Sequence, residues 1–158
     1  MKSLYRLRTI ISVLCFAVFG FSPITQAQTN FEAHLSGSNE VPALTTTATG
    51  SVMATLIGNE LTLEGSFGGL TGDYAASHIH FGMAGQAGGV LTALTASMNA
   101  DNKSGTYATA DNTFTLSDGQ VDTLMMQGLY INKHTFNLLS GWRTQSSTFT
   151  GSRCTFPN

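Results

Sequence analysis

The sequence predicts an all-β domain, an immunoglobulin-like or barrel-like β-sandwich with one short helix near residues 118–127. Three observations carry that prediction. Charged residues make up 10% of the 158-residue chain, and Thr, Ser and Gly are abundant instead, a composition that favours strands joined by tight turns. Many short runs alternate apolar and polar residues with period two, which places one set of side chains on each face of a strand. A single segment carries helical spacing and a cap. Seven to nine strands in two packed layers are expected.

The first strand is FEAHLSG, with Phe31, Ala33 and Leu35 inward and Glu32 and His34 outward. TGSVMATLI follows, in which Val52, Ala54 and Leu56 alternate with Ser51, Met53 and Thr55. Gly58-Asn59 is a tight turn into ELTLEGSF, where Leu61 and Leu63 share a face, and this pair is the clearest hairpin of the chain. AASHIHF is the next strand. GMAGQAGG then forms a loop whose glycines, Gly82, Gly85, Gly88 and Gly89, allow close approach of other groups. A phosphate-binding role for this loop fails, because no helix with a basic residue follows it. VLTALTASM resumes strand character. Ser117 and Gln120 form a capping box, and Val121, Leu124 and Met125 repeat at helical spacing as a stripe expected to pack in the core, with Gly128 at the end. The strands LYINKHT and WRTQSSTFT close the fold.

The chain divides into a secretory signal at 1–27, a domain at 28–150 and a tail at 151–158. Lys2, Arg6 and Arg8 precede an apolar run from Thr9 to Phe21, too short to span a bilayer, and Ala27 supplies the small residue at a cleavage point. An exported protein, periplasmic or secreted, is expected, touching the membrane only through the signal before cleavage. Without residues 1–27, four basic groups face nine acidic ones, a formal charge of −5. That balance argues against nucleic acid or an anionic membrane as a partner, both of which select clustered Lys and Arg. Cys154 is then the single cysteine left, so no internal disulfide is available and the core must hold the fold. The terminal CTFPN segment offers no neighbour to lower the thiol's pKa, so the residue reads as buried and inert, the alternative being pairing with another molecule.

Three of the four histidines fall in two strand-like runs, SHIHF and LYINKHT. His78 and His80 share one face, opposite Ile79 and Phe81, while Tyr130, Asn132 and His134 project together, opposite Leu129 and Ile131. Neutral imidazole ligates zinc and copper, and two ligands at i and i+2 need only one more from a neighbouring strand, so His78, His80 and His134 are the candidate metal ligands. Copper or zinc would be the cofactor. His34 reads as an ordinary polar residue on an exposed strand face.

Four segments in order, FEAHLSGSNEVP, ATGSVMATL, GGLTGDYAASHIHFGMAGQAG and GLYINKHT, resemble the CHRD domain, named from chordin and also found as a single exported domain in bacteria. The resemblance runs from Phe31 to Gln145. It implies a β-sandwich or barrel, an extracytoplasmic place and no established catalysis. The closing segment departs from the family's usual GEIRGQ: here GWRTQ keeps Gly141, Arg143 and Gln145, and Trp142 stands where an acidic residue is usual.

The scattered carboxylates show no pairing for acid–base catalysis, and no G-x-S-x-G elbow marks a nucleophile. The expected function is a noncatalytic binding or interaction module for a protein or extracellular ligand. The alternative is a small copper- or zinc-binding protein using the three histidines. Its extreme form is superoxide-dismutase-like chemistry, since a His-x-His strand on an exported sandwich is similar to copper/zinc superoxide dismutase. That family needs further histidines and a bridging aspartate.

Overall fold

A computed structural model describes residues 26–137, 141–148 and 150–152. Residues 1–25 of the expected signal, and Cys154, lie outside the described residues.

The strands are β1 (Gln28–Ser36), β2 (Thr49–Ile57), β3 (Glu60–Gly68), β4 (Tyr74–Phe81), β5 (Val90–Leu94), β6 (Ser97–Met98), β7 (Gly105–Tyr107), β8 (Thr113–Thr115), β9 (Leu129–Asn137), β10 (Gly141–Thr148) and β11 (Thr150–Ser152), with the helix α1 (Asp118–Met125) before β9. Eleven described strands exceed the seven to nine expected, because β6, β7, β8 and β11 are pieces of two or three residues too short to show an alternation. Every pairing is antiparallel, and Gly151 and Ser152, assigned to the tail from sequence, pair with β1.

Hydrogen bonding runs in one path, β5-β4-β9-β10-β1-β2-β3-β7-β6. The path curls over at β1 and β10, whose register consists of Ser36 opposite Ser146, and its two halves become the layers of a sandwich. Contacts between strands remote along the path require this. The Ser77 hydroxyl of β4 lies 2.6 Å from the Tyr107 hydroxyl of β7, and Lys133 of β9 sits over the Phe67 ring of β3.

The inner faces follow the alternation. Phe31, Ala33 and Leu35 of β1, Val52, Ala54 and Leu56 of β2, and Leu61 and Leu63 of β3 are all buried in one cluster with Ile79, Leu129 and Ile131 from the opposite layer. At roughly 25 cal/mol per Å² of apolar surface removed from water, such a cluster is the main favourable contribution to the fold.

The capping box of α1 is present, with the Ser117 side chain accepting from Gln120 N–H and the Gln120 side chain accepting from Ser117 N–H. Its stripe is narrower than expected: Leu124 is buried and Val121 packs against the core, but Met125 is 51% exposed. Eight residues make little more than two turns, so one side alone meets the sheet. Gln127, not Gly128, takes the left-handed backbone at the helix end, with φ +59°. Among the described residues no helix is long and apolar enough to cross a membrane.

Candidate metal centre

β4 and β9 are neighbours in the outer part of one layer, with Ala76 opposite His134, His78 opposite Asn132 and His80 opposite Tyr130. Since i and i+2 share a face, this register gathers His78, His80, Tyr130, Asn132 and His134 on the side of the layer away from the core. Ile79, Ile131 and Lys133 point the other way and are fully buried.

The structure brings together the three histidines singled out in the sequence. Ring centroids are 5.7 Å apart for His78 and His80, 5.3 Å for His78 and His134, and 6.3 Å for His80 and His134. One ring nitrogen from each lies within 4.8 Å of the others. An ion with bonds of about 2 Å needs ligand nitrogens no more than about 4 Å apart, a gap that small side-chain rotations close. His34 stands elsewhere, on the exposed face of β1 with its Nε2 3.4 Å from Glu32.

His80 is the most firmly placed of the three. Its Nδ1 lies 3.0 Å from the Gly88 carbonyl oxygen. A carbonyl only accepts, so Nδ1 carries the proton and neutral His80 presents its Nε2 lone pair. The ring also stacks on Tyr130 at 5.1 Å and 19°, and the Tyr130 hydroxyl accepts from Gly88 N–H at 3.2 Å. Gly88 thus clasps both partners of the stack. A Cβ at this position would collide with the Phe81 carbonyl oxygen, so the glycine of this loop is required by close approach. Gly88→Ala is expected to cost about 1–3 kcal/mol and to release His80 from its tautomer, read as a lower thermal midpoint.

His80 Nε2, His78 Nδ1 and Asn132 Oδ1 are buried atoms with no hydrogen-bond partner among the described residues. Each such atom costs about 1–3 kcal/mol if nothing satisfies it. All three lie on the face that the histidines share. Burial, and then the neighbouring His80, push the His78 pKa down; burial, and then His78 and His80, do the same for His134. Both effects favour neutral imidazole, the form that ligates a metal.

The sequence pointed to Asn132 and Tyr130 as neighbours of His134 but gave neither a task, and it did not single out Gly88 within its loop. The pairing of β4 with β9 supplies both. Lys133 is a further surprise, an amine on the core side of β9.

Residues 31–138 match the CHRD domain family. No curated protein and no solved structure matches the chain.

Proposed function

The chain belongs to the CHRD domain family, and from that premise we propose that it is an exported binding module whose ligand is a single copper or zinc ion held by His78, His80 and His134. The observation that carries the reading is the set of three imidazole nitrogens within 4.8 Å, two of the rings having buried nitrogens without a hydrogen-bond partner. Nitrogen donors without a described carboxylate or thiolate in the cluster suit copper and zinc over magnesium or calcium, which select oxygen. The outer-face position leaves His78 and His134 partly exposed, which gives an ion a way in. An excess of acidic over basic residues draws cations towards the chain. Support for export comes from the basic start and short apolar run before Ala27, with β1 beginning at Gln28.

Protein purified without a histidine tag, loaded with Cu(II) or Zn(II) and freed of excess by gel filtration, should retain about one ion per chain by elemental analysis. Retention of far less than one ion with either metal would overturn the reading and leave the noncatalytic interaction module.

Protons compete with the metal for the same nitrogens, so affinity falls with pH. The lowered pKa values of His78 and His134 move that competition below the ordinary histidine value of about 6.5. Binding is expected to be nearly flat from pH 8 to about 6.5 and to decline steeply below that. Metal titrations at stepped pH check this, and a decline already under way above pH 7 would contradict it.

A further inference from the structure

We propose that Asn132 Oδ1 faces the fourth coordination position of the three-histidine site and holds there a small proton-donating ligand, water first, so that the site is an open one that exchanges ligands. The proposal rests on the metal reading and adds to it what the ion does after binding. Asn132 is the direct β-ladder partner of His78 and lies two residues from both Tyr130 and His134, on the face they share. Direct partners have Cβ atoms about 4.5–5.5 Å apart, which sets the short amide beside the ligating rings. The residue is 9% exposed, and its Oδ1 has no hydrogen-bond partner among the described residues.

Three imidazoles leave a zinc or copper ion one position short of four, the arrangement of sites that keep a water to exchange. An amide oxygen is a weak ligand beside imidazole but a good acceptor. It therefore favours a ligand that carries a proton on its bound atom, such as water, hydroxide or a hydroperoxide. Its lone pairs repel an aprotic anion such as azide at the same place. The side chain thus works as a selector, in the way that a buried polar group rejects a ligand lacking its complement.

Azide titration of the protein loaded with Cu(II), or with Co(II) in place of zinc, tests this through the azide-to-metal charge-transfer band. In wild type azide should enter, with the water leaving, but weakly. Asn132→Leu removes the acceptor and the repulsion, and azide should bind about tenfold more tightly. Asn132→Asp places a carboxylate that takes the fourth position itself, so metal binding should tighten and the azide band should be lost. Equal azide affinity in wild type and the leucine variant, or no band with either metal, would overturn the proposal while leaving metal binding in place. Failure to bind any metal would overturn both. Should the leucine variant not fold, pulsed electron–nuclear spectroscopy of the wild-type Cu(II) form in heavy water decides: an exchangeable proton on a fourth ligand supports the proposal, and its absence refutes it.

Discussion

Lys133→Met is expected to stabilise the folded protein by on the order of 4 kcal/mol at pH 6, with the gain shrinking as pH rises from about 7 towards 10. Lys133 has no exposed surface, and its Nζ has no hydrogen-bond partner among the described residues. The amine rests 3.6 Å from the Phe67 ring centroid, on the core side of β9 where Ser77 is its ladder partner. Burial pushes its pKa down to about 7, against about 10.4 in an unfolded chain. A lowered pKa on a basic group means that the unfolded chain binds more protons between those two values. Stability therefore rises with pH across that window, and the full penalty applies below about 7.

The shift corresponds to nearly 5 kcal/mol, and the attraction of an ammonium for the Phe67 ring returns about 1 kcal/mol of it. Desolvation wins. Methionine keeps the length and apolar stem of lysine and removes the amine, so little cavity or strain is added. Denaturant unfolding of both proteins at pH 6, 8 and 10 measures the difference. Destabilisation by methionine at all three values would mean that the amine has a favourable bond that outweighs its burial.

Lys133 also marks where the sequence stopped being legible. Period-two alternation revealed the inner faces of β1, β2 and β3 because each has a row of apolar residues on one side and a mostly polar row on the other, with Met53 and Ile57 of β2 as exposed exceptions. In LYINKHT the alternation breaks at Lys133, a polar residue on the apolar face, and nothing local signals that Phe67, far away in the chain, provides a surface for it. Met125 misled in the opposite sense: an apolar residue at helical spacing promised burial, but α1 meets the sheet on a narrower side.

The three-histidine cluster was legible in its residues and not in its surroundings. A His-x-His strand fixes two imidazoles on one face through backbone geometry alone. That His134 lies near them depends on the β4–β9 register, a pairing across about 50 residues that local patterns do not determine. The Gly88 carbonyl that sets the His80 tautomer belongs to a loop, and a loop's course is not written in periodicity. Asn132 reads in sequence as one more polar residue. Its buried oxygen, without a hydrogen-bond partner among the described residues, is visible only when both strands are in place.

His80→Ala is expected to weaken copper or zinc binding at least about 100-fold while leaving the β-fold intact. Loss of a group that merely orients a ligand costs about 10–100-fold in metal affinity, and loss of the ligand itself should cost no less. His80 is the proposed ligand whose removal is most informative, because the structure has already fixed its ring. The Gly88 carbonyl holds its tautomer and the Tyr130 ring holds its plane, so little entropy is lost when it takes an ion. The fold should survive, since the ring lies on the outer face of the layer and contributes nothing to the apolar cluster between the sheets. His34→Ala serves as the comparison, being on the exposed face of β1 and outside the cluster, and should bind metal as wild type does. Calorimetric titration of the three proteins, with circular dichroism for β-content, provides the measurement. Unchanged affinity in His80→Ala would mean that other groups hold the ion, and equal losses in both variants would mean that the metal binds wherever an imidazole is available. A large loss in the first alone would be the behaviour of a site in which strand register, a glycine carbonyl and an aromatic ring together place a lone pair.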